Sequence, residues 1–468
     1  MFVMNAPKNL NRSSRRHFLK ATAIASVAAP FVLNSIGSHA VAPDGRLRHA
    51  CIGVGGMGAH DLKEFLSSKK MQIVAMCDVD VTHIRKAVDS VCCARVYSDW
   101  RDLLETEGDK IDSVNIAVPD HMHYPIALAA IQRGKHVYCQ KPLCHDVAEV
   151  RALTNASIDA KVITQLGTQI ASHAANRVAV QLLKDGAIGK IKHVYICSNR
   201  PGAIEAYRLK GPRPAESQTP PENLNWDLWI GNAPWRPYSP EIYHPAKWRA
   251  WIDFGTGWSG DIGCHLLDAV WKGLNLQAPK TIHAKVQKSW SESPERRADT
   301  WPQGDHITWI FPGNKLTDKR ELTVEWFDGE FYPPQEIREL YTKAKGVKLE
   351  DYPPESAMVI GTKGALCIPH VEMPMLLPKE NFANYPMPDL PTRNHYHHFV
   401  EACLGGEKTE SHFAQSGPMT EAILLGTIAI RAPGKTLKWD GKQMKITNDK
   451  KANELIRRQY RAGWETKV

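Results

Sequence analysis

Three groups of residues in this 468-residue chain have the types and spacing to do chemistry. The first is a glycine turn, Gly53-Val54-Gly55-Gly56-Met57-Gly58, between an apolar run from Arg46 and a helix-like run from Ala59 to Ser67. Its G-x-G-x-x-G spacing lets a strand reverse tightly and lets backbone approach a pyrophosphate. It also aims a helix N-terminus at the phosphate charge. Gly53, Gly55, Gly56, Met57 and Gly58 are all expected at a dinucleotide. Asp78 ends the next apolar run, 20 residues past Gly58. A carboxylate there accepts both ribose hydroxyls of NAD and repels the 2′-phosphate of NADP. The second group is Lys141-Pro142, closing the apolar run from Lys135 to Gln140. An ammonium at a strand end can orient a substrate hydroxyl and help move its proton. A solvated surface lysine would read the same way. The third is Asp261 and His265, four residues apart on one helical face. A carboxylate beside an imidazole suits acid–base work near neutral pH. A capping aspartate followed by a core histidine gives the same spacing.

The elements that must position these groups follow from periodicity. From Arg46 to about Gln165, strand-like runs alternate with helix-like ones, which implies a parallel, doubly wound sheet. Such sheets bind ligands at the carboxyl ends of their strands, where Pro119-Asp120-His121-Met122-His123 and Lys141-Pro142 fall. Beyond Gly167 the character changes. A segment rich in Pro and Trp, Arg200 to Trp258, holds six of the 14 tryptophans between 226 and 258. Strand-like runs at Thr281 to Val286, His306 to Phe311 and Glu321 to Phe327 then suggest a mostly antiparallel sheet. Arg338 to Lys348 reads as a polar surface excursion, and Met419 to Ile430 as a packed helix. The expected division is 1–40, 44–165, 166–435 and 436–468: leader, dinucleotide domain, substrate domain and tail.

Composition excludes several classes. The net charge of +9 contains five basic residues within 1–40. The remainder is a mild excess and no argument for nucleic acid. Ser14-Arg15-Arg16-His17-Phe18-Leu19-Lys20 reads as a twin-arginine export signal with cleavage after Ala40. It implies the twin-arginine translocase as a transient partner and a periplasmic destination. The ten cysteines form no C-x-x-C pair, and those on apolar strands read as small buried side chains. His395-Tyr396-His397-His398 clusters imidazoles without a carboxylate or thiol to complete a set, so no metal site is expected.

Taken together in chain order, the glycine turn, Asp78, Pro119 to His123, Lys141-Pro142, and Asp261 with His265 resemble the Gfo/Idh/MocA family of nicotinamide-dependent sugar oxidoreductases. The resemblance runs from about Arg46 to about Pro433. It implies an α/β protein with an N-terminal Rossmann domain. A C-terminal α/β domain follows, with a large open, mostly antiparallel sheet that often forms a homo-oligomer interface. It implies NAD as cofactor, with Pro119, His121, His123 and Lys141 also near it. Lys141 and His265 become the proton-handling pair, and Asp261 places the substrate. The family usually has Glu before the lysine, where this chain has Gln140.

Sugar rings pack their C–H faces on indoles, so Trp251 and Trp258, nearest Asp261, are the expected substrate contacts. The leading expectation is NAD-dependent oxidation of a sugar, polyol or glycoside with a tightly held cofactor. A redox-neutral NAD-dependent glycosidase uses the same groups. A non-catalytic sensor of sugar or cofactor is the third possibility.

Overall fold

The computed structural model describes residues 45–91, 93–200 and 217–466. The export signal and its cleavage site lie outside the described residues. Among the described residues the chain forms two sheets. The first is built from β1 (Leu47–Ile52), β2 (Met71–Cys77), β3 (Arg95–Tyr97), β4 (Ser113–Ile116), β5 (His136–Cys139) and β6 (Thr164–Leu166), in the order β3-β2-β1-β4-β5-β6. Every pairing in it is parallel. Its inner strands are buried almost throughout, as a sheet with helices on both faces requires. Helices α1 (Met57–Leu66), α2 (Val81–Val88), α3 (Trp100–Glu107), α4 (His123–Gln132) and α5 (Val147–Asp159) make the crossovers.

Helix α6 (Ala174–Lys184) leads into the second sheet at β7 (Ile191–Ser198). The Trp-rich segment then runs to α7 (Gly257–Leu274). Strands β8 (Thr281–Val286), β9 (Asp305–Pro312) and β10 (Glu321–Asp328) follow. Helix α8 (Gln335–Lys345) precedes β11 (Glu355–Gly361), β12 (Ala365–Pro369) and β13 (Met375–Leu377). Helices α9 (His395–Cys403) and α10 (Phe413–Arg431) and strands β14 (Thr436–Asp440) and β15 (Lys445–Ile446) follow, ahead of a short helix at Lys450–Glu454. The sheet order is β13-β12-β11-β7-β10-β9-β8-β14-β15. Only β7 and β10 pair in parallel there; the other pairs are antiparallel. Burial alternates residue by residue along β9, the mark of a sheet with one packed and one open face. On the open side His193 and His306 share Glu325, at 2.6 and 2.8 Å.

Two features depart from the expected layout. Residues 338–348, read only as a polar surface excursion, lie largely within the amphipathic helix α8. It ends on Gly346 in the left-handed conformation and is braced by the exposed pair Lys343–Glu339. The last third of the chain also returns to the first domain. Tyr396, Phe399 and Val400 of α9 share a buried cluster with Leu47, Cys51, Phe65 and Tyr138. Helix α10 meets α5 through Arg151 and Glu421, 2.6 Å apart. Strand β14 pairs with β8, so 436–440 belongs to the second sheet. The residues after β15 then cross the seam between domains. Ala148 donates to the Ile456 carbonyl, Arg458 N–H to Asp146, and Tyr460 to Glu149. Arg461 donates to Asp227 at 2.6 Å, and Arg101 lies 4.4 Å over the Trp464 ring.

Candidate active site

The glycine turn is fixed by close approach. A Cβ at Gly53 would stand 2.3 Å from the Ala117 carbonyl oxygen, and one at Gly58 would stand 2.2 Å from that of Gly53. Strand end, helix start and the neighbouring strand therefore meet only through glycine. Gly56 has nothing within 4 Å of its Cβ direction. It caps α1 without a side-chain bond, and the first turn carries no acidic residue. An uncapped helix N-terminus facing open space fits a pyrophosphate. Asp78 stands beside it, accepting from the N–H of Val54 and of Asp80, each at 2.9 Å, and contacting His83 Nδ1 at 3.2 Å. These residues fit a dinucleotide: donors for phosphate, a carboxylate at the ribose position, and room.

The Pro119–His123 turn works from beneath. His121 is buried between Trp229 and Phe254, with Nε2 3.2 Å from the Trp229 carbonyl. His123 sets its two ring nitrogens against the carbonyls of Pro142 and Val118, at 2.7 and 2.9 Å. Burial holds both imidazoles low, at about 3 and about 4. His121 Nε2 and both ring nitrogens of His123 meet backbone carbonyls, so the two rings brace the strand-end loops around the cofactor crevice. His123 in particular ties the Pro119 turn to the Lys141-Pro142 turn.

Lys141 and the α7 pair meet across the domains. Lys141 Nζ lies 2.6 Å from Asp261 Oδ1 and donates to the Asp261 carbonyl at 3.2 Å. Both side chains are largely buried, so this ion pair is well shielded from solvent. Arg249 approaches the other carboxylate oxygen at 3.8 Å. Asp261 thus positions Lys141 from its own helix. His265 lies one turn further along α7. Burial, and then the charge of Lys141, push its imidazole well below the ordinary value. It is therefore neutral at physiological pH, and its buried Nδ1 makes no hydrogen bond. A neutral, half-buried imidazole near a shielded ammonium is a place for a hydroxyl group to be held and deprotonated.

Two residues of the cluster escape sequence reasoning. Asp120 is buried and accepts from Thr256 Oγ1 at 3.0 Å. Burial, and then the Asp261 charge, push it up to about 7. Arg249, from the Trp-rich segment, stacks 4.3 Å over Trp248. The Pro-Asp-His sequence was a signal for Asp120, whereas nothing local marks Arg249.

The structure places Trp251 and Trp258 differently from expectation. Trp251 is 1% exposed within an aromatic cluster, and its N–H donates to the Ile242 carbonyl. Trp258 is 4% exposed and donates to Ser198. With their indoles buried and their N–H groups committed, they pack the wall behind the site and offer a sugar no open ring face. The His395–His398 run is also dispersed. His395 meets Ser172 and the Leu166 carbonyl, while His397 meets Ser67.

Gln140 does not face Lys141. Its amide turns inward and donates to both oxygens of buried Asp61, at 2.9 and 3.0 Å. Tyr396 donates to the same carboxylate at 2.8 Å. The negative charge absent at position 140 is supplied by Asp61 from α1.

A family model described as "Oxidoreductase family, NAD-binding Rossmann fold" matches residues 47–168. Another, described as "Oxidoreductase family, C-terminal alpha/beta domain", matches residues 175–334. Levoglucosan dehydrogenase of Pseudarthrobacter phenanthrenivorans is 35% identical over 94 residues, 20% of this chain and 24% of that protein. A glycosyl hydrolase family 109 protein of Stenotrophomonas maltophilia is 29% identical over 191 residues, 38% of this chain and 41% of that protein. The matched stretch is thus well under half the length of either relative. Among solved structures, the WlbA dehydrogenase of Bordetella pertussis, in complex with NADH and UDP-GlcNAcA, superposes with a TM-score of 0.57. It is 14% identical, over 84% of this chain and 99% of that one. An aldose-aldose oxidoreductase of Caulobacter crescentus, complexed with glycerol, gives 0.55 at 17% identity, over 84% of this chain and 100% of that one. Both halves of the fold match one family in chain order, and this chain belongs to the Gfo/Idh/MocA oxidoreductases, built on an NAD-binding Rossmann domain.

Proposed function

We propose that this chain is an NAD-dependent oxidoreductase that removes hydride from a carbinol carbon of a sugar, polyol or glycoside. The observation that carries the reading is the 2.6 Å Lys141–Asp261 pair, joining a Rossmann strand end to α7 one turn from the His265 imidazole. NAD, when bound, supplies the hydride acceptor. His265, neutral and unbonded, takes the hydroxyl proton. Lys141 holds the hydroxyl oxygen and steadies negative charge as it develops there. Asp261 and Arg249 keep Lys141 in place. Relatives named levoglucosan dehydrogenase and D-apiose dehydrogenase support a carbohydrate substrate.

A second reading rests on Asp120. A buried carboxyl with a value near 7 keeps its proton in about half of the molecules at neutral pH and can protonate a departing oxygen. That suits a redox-neutral glycosidase: transient oxidation, elimination, addition of water, and return of hydride. Relatives named as glycosyl hydrolase family 109 proteins support it. We place the protein in the periplasm through its twin-arginine signal, with NAD held through the cycle. Subunit contacts of a homo-oligomer fit the open face of the second sheet.

One screen separates the readings. Sugars and aryl glycosides are assayed for NADH and for released aglycone, and protein purified from the periplasm without added cofactor is denatured and its nucleotide measured. NADH accumulation supports dehydrogenation, and aglycone without NADH supports glycoside cleavage. Near-stoichiometric NAD supports a retained cofactor. Absence of turnover on every carbohydrate would overturn both readings.

A further inference from the structure

Where β2 ends, the chain makes the turn 78–80 into α2, and the segment 217–245 folds back onto it. Val81 N–H donates to the Asn223 carbonyl at 2.8 Å, and Asn225 N–H to that of Val79 at 2.9 Å. On this seam Asp80, His83 and His244 bring one carboxylate oxygen and two ring nitrogens within 4.8 Å of one another. His244 Nε2 is 2.9 Å from Asp80 Oδ2, and His83 Nε2 is 4.0 Å from the same oxygen.

The remaining polar atoms explain why these three face one point. Asp80 Oδ1 is saturated by the Thr82 N–H, the Thr82 hydroxyl and the Asn223 amide, at 2.9, 2.6 and 2.9 Å. His83 has its Nδ1 3.2 Å from Asp78 Oδ2, which turns its Nε2 inward. An imidazole bonded to a carboxylate through one nitrogen and presenting the other is the outer-shell arrangement of metal-binding histidines. A plain ion pair between Asp80 and His244 leaves a second imidazole crowding one carboxylate oxygen. An ion satisfies both. Metal–ligand bonds of about 2.1 Å set ligands about 3.4 Å apart in a tetrahedron, within the spread of the separations here. Two imidazoles with one carboxylate suit zinc and its neighbours, while calcium and magnesium prefer all-oxygen sets.

We propose that Asp80, His83 and His244 bind a divalent transition-metal ion, zinc first among them, with water in the fourth position. Two ligands come from the dinucleotide domain and one from the segment that folds over it. The ion clamps that segment beside Asp78 and orders the carboxylate that meets the cofactor ribose. Its role is structural, and no electron or group transfer is assigned to it.

The test uses the full-length NAD-loaded enzyme, freed of metal by chelator and titrated with Zn(II) alone. Calorimetry and elemental analysis should give one zinc per chain, with a zinc-dependent rise in Tm. Co(II) should give the visible bands of a tetrahedral site. His244→Gln keeps a hydrogen bond to Asp80 but loses the imidazole, and it should bind zinc at least about tenfold more weakly. His83→Asn should do the same, while His397→Ala, on α9, should bind as wild type. If His244→Gln does not fold, the Co(II) spectrum of the wild type and of His83→Asn decides. Absence of stoichiometric zinc, or undiminished binding in either ligand variant, would overturn the proposal.

Discussion

Replacing Gln140 by Glu restores the residue that the family usually carries, yet here it should damage the protein. Asp61 is fully buried, and burial pushes its carboxyl up to about 6 despite the bonds from Gln140 and Tyr396. A rise from 3.8 to about 6 corresponds to about 3 kcal/mol already borne by the ionised form at neutral pH. In Gln140→Glu the two amide N–H bonds vanish and a second carboxyl faces the first. The two cannot both ionise, so one retains a proton. Losing the donors and confining the pair should cost about 2–4 kcal/mol. At about 2–4 °C per kcal/mol, Tm should fall by roughly 5–15 °C. The pH dependence carries the mechanism. A carboxyl raised in the folded state binds more protons there than in the unfolded state, so stability declines as pH rises through that interval. For wild type, Asp61 contributes its decline between about pH 4 and about pH 6 and is level above. In the variant the decline should continue past pH 7. Asp61→Asn combined with Gln140→Glu exchanges acid and amide, and should recover at least half of the loss. Thermal melts of the wild type, the single variant and the double variant from pH 4 to 9 measure this. An unaltered Tm and profile for Gln140→Glu, or a double variant no better than the single, would refute the reasoning.

The other expectations concern the site directly. His265→Ala and Lys141→Ala should each lower kcat by about 100- to 10,000-fold while leaving most NAD affinity, which steady-state kinetics and calorimetry check; near-wild-type turnover of His265→Ala would remove His265 from the chemistry. Because Asp120 sits at about 7, an activity that needs its proton should fall above that pH. Asp120→Asn should lose most of that activity, with no alkaline limb in what remains, and unchanged turnover and pH–rate profile would exclude Asp120 as the acid. Asp78 should make NAD bind at least about tenfold more tightly than NADP, since a 2′-phosphate meets a carboxylate there; Asp78→Ala should narrow that gap, and equal affinities in wild type would contradict the assignment.

Much of the first domain was legible because its signals are local. Strand β1, the glycine turn and Asp78 lie within one short stretch, and apolar runs there coincide with parallel strands buried on both faces. Asp261 and His265 were legible through helical spacing, and their role through resemblance. What escaped depends on encounters between distant segments. Arg249 meets Asp261 only because the Trp-rich segment folds back beneath α7. His244 reaches Asp80 and His83 from more than 150 residues away. Gln140 was noticed as a substitution, but its partner Asp61 sits on another element. Trp251 and Trp258 show the opposite failure. Aromatic composition near a site suggested ligand contact, whereas each ring is consumed by its neighbours. Helix α8 buries little beyond Tyr341 and Thr342, so its apolar stripe was too thin to register.

The C-terminal crossing has a consequence for how the molecule is completed. Asp146, Glu149 and Asp227 wait for Arg458, Tyr460 and Arg461, which are made after both sheets. Both lobes can acquire their sheets before the bolt between them is made. A nascent chain truncated by stalling would present two formed lobes with an open joint and bare carboxylates along it. The segment 456–461 therefore registers that the two lobes have met.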